Sequence, residues 1–251
     1  MELDLDIITV TKEDLEGVVS TIQSTRTVRS AYPVRQIVVD SSETDKREKL
    51  KEFIRDEQNI DYIWQEPSGI AAAFNLALSK SKADWVWFLN GGDRIHYDID
   101  PEKLLYILTK SSADTIIFQI ELMQSHTIIK HPPLWAAWPP VSSWIPHPGT
   151  IIRRLLFEKY GLFREEYKVS MDFEIWLRFF SKNVVVDMIS LPIALYDESG
   201  VSTIGLSCSA KETLKIIRLK LPILIQKWLG NGFMILSETK RYLMFRILRR
   251  D

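Results

Sequence analysis

The stretch "DWVWFLNGGDR", residues 84–94, decides the reading of the fold. Residues 85–89 are apolar on both faces and rich in aromatic residues, as in a strand buried on two sides. The strand then stops on Gly91, Gly92 and a single carboxylate, Asp93. A plain turn needs the glycines but not the acid, so the pattern also fits a place where a ligand's phosphate and a cation approach the backbone. Three similar runs precede it: "LDIITVT", "RQIVVD" and "DYIWQE". Helical patterns separate them in "KEDLEGVVSTIQST", residues 45–57 and "IAAAFNLALSK". Short apolar strands joined by crossovers of ten or more residues predict a mostly parallel α/β sheet flanked by helices, with right-handed connections. In such sheets ligands bind beyond the carboxyl ends of the strands, where Asp40 and "NGGD" both fall.

The second half reads differently. "ADTIIFQIEL" and "HTIIK" predict mixed or antiparallel strands, residues 153–160 and 172–181 helices, and "NVVVDMIS" a strand. Between them, "HPPLWAAWPPVSSWIPHPG" holds six prolines and three tryptophans and can form neither a long helix nor a central strand. It is either a lid over a ligand or a structural connection.

With 251 residues the chain is long enough for one large domain, with or without an appendage. The net charge of −1 hides an asymmetry: residues 207–251 carry ten Lys/Arg and three Asp/Glu, leaving −8 on residues 1–206. This divides the chain into a domain over 1–206 and a basic amphipathic helical extension over 207–251. One cysteine, Cys208, excludes an internal disulfide and fits a reducing compartment. The start of the chain has no signal-peptide pattern, and no run approaches the roughly 18 apolar residues of a membrane span. The expected location is the cytosol.

Several residues are candidates for chemistry, each with a structural alternative. Asp40, before "SSETD", is either a helix N-cap or an acceptor for a nucleobase or ribose. Gly69 opens a small-residue helix that either packs tightly on the sheet or offers its N-terminus to an anion. Asp172, in the first turn of "MDFEIWLRF", is either a helix-stabilising acid or a general base. Arg178 reads as a structural salt-bridge donor. His147 is either incidental or functional. Neither a zinc cluster nor a serine nucleophile elbow is present in the sequence.

The order of these elements resembles the family-2 glycosyltransferases of the GT-A (Rossmann-like) fold, particularly the bacterial branch that builds surface polysaccharides. The matching stretches are "ITVTKEDLEGVVSTIQS", "QIVVDSSETD", "EPSGIAAAFNLAL", "WVWFLNGGDR", "HPGTIIRRLLFEKYGLFREEYKVSMDFEIWLRF" and "YDESGVST", covering roughly residues 4–204. The resemblance implies an inverting transferase, metal-dependent and of the hexosyl type, moving a sugar from a nucleotide-diphosphate donor of the UDP-sugar kind to a glycan or lipid-linked acceptor. It implies that Thr9, Val10, Thr11 and Asp40 cradle the nucleoside, with Gly69, Asn90, Gly91 and Gly92 also on the donor side. Asp93 inherits the metal role, for Mg²⁺ or Mn²⁺, Asp172 the role of base, and His147 and Trp144 the acceptor side. No nucleic-acid partner is implied.

The chain departs from the family where Ser41, Ser42 and Glu43 follow Asp40, where Ala71 and Ala72 replace polar residues, and where Asp93 is the last acid left of two or three. These losses keep open an alternative: a non-catalytic binder of nucleotide sugar or glycan on the same fold. A sugar-phosphate nucleotidyltransferase is disfavoured because "TVTKEDLEG" is no glycine-rich basic loop. Residues 207–251 combine basic and apolar residues. They are expected either to lie on an anionic membrane surface, making the protein peripheral on the inner face of the cell membrane, or to pack on the domain or a second subunit.

Overall fold

The computed structural model describes residues 5–31, 34–131, 145–182, 184–199 and 208–219. The expected strands form as β1 (Leu5–Thr11), β2 (Val34–Asp40), β3 (Ile60–Trp64) and β4 (Trp85–Phe88), all parallel. The helices between them are α1 (Leu15–Ala31), α2 (Thr44–Ile54) and α3 (Ile70–Lys80). The order β3-β2-β1-β4 brings the ends of all four strands to one edge of the sheet.

Strand β4 continues into β5 (Arg94–Ile95), α4 (Pro101–Lys110), β6 (Thr115–Leu122) and β7 (Ile128–Ile129). Then come β8 (Thr150–Arg153), α5 (Leu155–Tyr160), α6 (Met171–Phe180), β9 (Val186–Tyr196) and a helix, α7, over 208–219. The full sheet runs β3-β2-β1-β4-β8-β6-β9-β5, with β7 paired to β6. Its first half is parallel and its second half mixed, both as expected, with β8 antiparallel between β4 and β6. Strand β9 extends past the expected "NVVVDMIS" through Pro192, which falls opposite Gln119 at a register shift. A proline without an N–H is tolerated at such an irregularity.

The strands are apolar on both faces because both are covered. Ile8, Val10, Ile37 and Val39 pack with Phe74 and Ala77 of α3 and Phe173 and Trp176 of α6. Leu5, Ile7, Trp85 and Trp87 pack on the other side with Leu104, Leu105 and Leu108 of α4.

Arg178 does what its position predicts. Its guanidinium pairs with the buried Glu174 at 2.8 Å and donates to the carbonyls of Tyr160, Gly161 and Leu162, tying the end of α5 to α6. Charged donors on the otherwise unpaired last carbonyls of a helix are favourable.

The expected boundary at 206/207 falls outside the described residues, as do Trp144 and most of the Trp/Pro-rich segment. Helix α7 packs on the domain: Ile216 is buried in the core beside α3 and α6. Among the described residues no helix is long and apolar enough to cross a membrane.

Candidate active site

The glycine turn after β4 is held from beneath by one buried hydroxyl on α1. Thr21 Oγ1 accepts the Gly92 N–H at 3.0 Å and donates to the Asp93 carbonyl at 2.6 Å. Gly91 N–H binds the Val10 carbonyl at 3.0 Å, which keeps the turn against the end of β1. Gly92 has φ +106°, a conformation that glycine adopts without strain.

Asp93 is 2% exposed. Its Oδ2 accepts the Asn90 N–H and its Oδ1 the Asp197 N–H, each at 3.1 Å. Burial, helped by the nearby Asp197 carboxylate, pushes its carboxyl up to about 7 against the pull of those two N–H groups. Each oxygen accepts one backbone N–H and keeps a second lone pair, so these hydrogen bonds are compatible with the expected metal role of Asp93. Further oxygen atoms at the turn also suit a divalent cation. Asn90 Oδ1 is buried without a hydrogen-bond partner among the described residues, and the Asp197 carboxylate stands 2.7 Å from where a side chain on Gly92 would begin.

The nucleoside end of the expected site is organised by Asp40. It does not cap α2, whose N-cap is Glu43. Asp40 is fully buried, accepting Ser42 N–H and Tyr62 Oη–H at 2.8 Å each. Burial and then the Asp40 carboxylate push the Tyr62 phenol well above its ordinary range. An Asp side chain bonding two residues ahead forms a local turn, which turns the chain away from β2. Above it, a concavity of about 510 Å³ opens between Glu13, Ser42, Lys46, Arg47 and Trp64. The Arg47 guanidinium lies 4.9 Å from the Trp64 ring centre.

Thr9 and Val10 lie below this surface. The Thr9 hydroxyl accepts Gln36 Nε2–H at 2.9 Å in the interior, and Val10 belongs to the core facing α3. Of the three, Thr11 approaches the turn, with Oγ1 3.1 Å from where a Gly91 side chain would start. Gly69, at φ +99°, starts α3 on the exposed surface.

Asp172 is partly exposed in the first turn of α6, its Oδ1 accepting the Phe173 N–H at 2.7 Å. Desolvation pushes its carboxyl up to about 6, against that hydrogen bond. His147 is placed in the core, not on an acceptor surface. Its ring stacks on Phe88 at 5.1 Å and lies 5.8 Å from Trp176 and 5.3 Å from Phe74. Neither ring nitrogen has a hydrogen-bond partner among the described residues, and burial pushes it down to about 4. His147 thus joins β4, which leads into the glycine turn, to α6, which carries Asp172 in its first turn.

Sequence reasoning missed Thr21, Tyr62 and Asp197. Only Asp197 had a signal, as the acid in "YDESGVST" directly after β9.

The fold is a mixed α/β sheet with one acid at the glycine turn after β4 and a second in the first turn of α6, a helix packed on the same core. The chain belongs to Glycosyl transferase family 2, whose model matches residues 6–177. Uncharacterized glycosyltransferases of Rickettsia prowazekii and Rickettsia typhi are each 26% identical, over 157 and 156 residues. Each match covers 57% of this chain, which spans about half (48%) of those relatives' length.

Among solved structures, S. aureus TarS superposes with a TM-score of 0.68 at 15% identity, over 91% of this chain and 41% of TarS. TarS 1–349 in complex with UDP-GlcNAc gives 0.67 at 16% identity, over 86% and 65%. At such identities the likeness is one of fold.

Proposed function

We propose that this protein is an inverting glycosyltransferase that takes a sugar from a nucleoside-diphosphate donor, of the UDP-sugar kind, to a hydroxyl of a glycan or lipid-linked acceptor. The observation that carries this reading is the placement of Asp172. It is a partly exposed carboxylate, raised by desolvation toward neutrality, on the helix tied through His147 to the strand that ends in the glycine turn. The family membership and the UDP and UDP-GlcNAc complexes of TarS support the donor class.

In the reaction, ionised Asp172 accepts the proton of the acceptor hydroxyl as that oxygen bonds to the anomeric carbon. The bond from that carbon to the donor phosphate breaks on the opposite face, and the nucleoside diphosphate leaves with inversion. A divalent cation, Mg²⁺ or Mn²⁺, bound by the turn's carboxylate and amide oxygens would neutralise charge on the leaving diphosphate. The concavity beside Asp40 receives the nucleoside: the Trp64 face and Arg47 can stack on a base, and the Ser42 hydroxyl can reach ribose. Polysaccharide building on the inner face of a membrane is the setting in which the basic residues after 207 make sense.

The test is incubation with labelled UDP-sugars and sugar acceptors, with and without Mg²⁺ or Mn²⁺. Transfer supports the enzyme. Binding of the nucleotide sugar with no transfer to any acceptor supports the non-catalytic alternative, which the loss of acids around Asp93 favours.

A further inference from the structure

Helix α7 has two faces of different character. Inward, Ser209, Glu212, Thr213 and Ile216 are engaged with the domain. The Glu212 carboxylate accepts the N–H groups of Lys168, Val169 and Ser170, the Ser170 hydroxyl meets those of Ser209 and Thr213, and Ile216 is buried. Outward, Lys211, Leu214, Lys215, Arg218 and Leu219 recur at helical spacing and line an open concavity of about 390 Å³. Leu214 is 56% exposed and Leu219 61%. Lys211, Lys215 and Arg218 have no carboxylate partner among the described residues; Lys215 lies over the Tyr167 ring, 5.4 Å from its centre. The single acid of the helix, Glu212, is engaged inward, so the outer face presents three cations around two exposed leucines.

An occupant of this face must be negative and must also take apolar side chains. The rest of the chain does not fit, because residues 220–251 hold seven Lys/Arg against Glu238 and Asp251 and would repel it. A second copy docked by the same face about a two-fold axis would set cations against cations. An anionic lipid surface offers both properties: head groups for Lys211, Lys215 and Arg218, and acyl chains for Leu214 and Leu219.

We propose that the outer face of α7 is the surface by which this protein docks on an anionic membrane. The seven cations after residue 219 add attraction to the same surface, whereas α7 sets how the domain stands on it, since its inner face is hydrogen-bonded to the chain just before α6. Docking by α7 therefore carries the segment that presents Asp172 toward a lipid-linked acceptor. This consequence rests on the reading of Asp172 as the base; the docking does not. At about fivefold for each cation, three hold the domain weakly by themselves, so the full chain is the form to test.

Co-sedimentation with phosphatidylcholine vesicles, with and without phosphatidylglycerol, is the experiment. Wild type should bind the anionic vesicles alone. Lys211→Gln, Lys215→Gln and Arg218→Gln together should weaken that binding about 100-fold. The same change of charge at Lys80, Lys82 and Lys110, exposed on other segments, should alter it less than about fivefold in all. Leu214→Gln with Leu219→Gln should weaken it about tenfold, even in salt that screens the cations. Every variant should melt at the wild-type temperature and elute at the wild-type size.

Undiminished vesicle binding by both α7 variants, or an equal loss from the set at Lys80, Lys82 and Lys110, overturns the proposal. A lower melting temperature for Leu214→Gln with Leu219→Gln overturns it by placing the leucines under the rest of the chain. A smaller size in gel filtration does so by placing them in a contact between copies. Absence of wild-type binding to anionic vesicles overturns it as well and leaves the enzyme reading standing, since co-sedimentation reads no sugar transfer.

Discussion

Glu212 and Ser170 meet across 42 residues of sequence: the Glu212 Oε2 accepts the Ser170 N–H at 2.9 Å. The same carboxylate takes the N–H groups of Val169 at 3.0 Å and Lys168 at 2.9 Å, so three consecutive donors converge on it. Two residues later stands Asp172. Helix α7 therefore fixes the strand of chain that presents the proposed base. Those hydrogen bonds outweigh burial and hold the Glu212 carboxyl below its ordinary value. Glu212→Ala strands three backbone donors and should destabilise the fold by about 1–3 kcal/mol. Thermal unfolding and single-turnover transfer are the checks. The transfer rate should fall while the donor Kd holds, because the damage lies at the base and not at the nucleotide.

The rate of transfer should rise with pH through about 6, since Asp172 acts ionised and its carboxyl is raised to that value. Asp172→Asn should lose this limb and about 10²–10⁴ in rate, with donor binding kept. The stability effect has the opposite sign. A carboxyl whose folded value lies above its unfolded one binds more protons when folded, so its contribution to stability is lost as pH rises from about 4 to about 6. At pH 7 the Asn variant should be at least as stable as wild type. A pH–rate profile beside thermal melts separates the two effects.

His147 is depressed from 6.5 to about 4 by burial, so the unfolded chain takes up its proton first as pH falls. The stability it contributes is complete above about 6.5 and is lost as pH falls toward 4, roughly 3 kcal/mol in all. Urea unfolding across that window should show a smaller acid loss for His147→Leu than for wild type.

Gly92→Ala and Gly69→Ala should part company. Both positions have positive φ, and each alanine carries a backbone strain of roughly 1–3 kcal/mol. At Gly69 the new methyl meets nothing within 4 Å, whereas at Gly92 it strikes the Asp197 carboxylate. Gly92→Ala should therefore unfold at the lower temperature of the two, as thermal melts would read.

Vesicle co-sedimentation checks the basic extension. Seven Lys/Arg follow residue 219, at Lys220, Lys227, Lys240, Arg241, Arg246, Arg249 and Arg250. Each contributes about 1 kcal/mol at an anionic surface. The full chain should bind anionic vesicles, release them as salt rises, and lose binding when cut after residue 219. A cut after 206 is the poorer test, because it also removes α7 with Glu212 and the core residue Ile216.

The sequence by itself determined the parallel half of the sheet, from Leu5 to Phe88. Apolar runs buried on both faces and crossovers of helical length leave little else to form. It also determined that Gly91, Gly92 and Asp93 follow a strand at the sheet edge where ligands of α/β folds are found, and that Arg178 is a structural salt-bridge donor. Tertiary structure alone decided which backbone groups the acids meet. Asp93 and Asp197 are 104 residues apart, and no local pattern shows that the backbone N–H of Asp197 binds the Asp93 carboxylate. His147 looked like a loop histidine until Phe74, Phe88, Phe163 and Trp176, from four other segments, closed around it. The antiparallel β8 was hidden in four residues whose pairing depends wholly on the neighbours β4 and β6. Local sequence fixes period and turn chemistry. The partner that satisfies a buried polar group is chosen by contacts distant along the chain, as the Asp197 N–H is for Asp93.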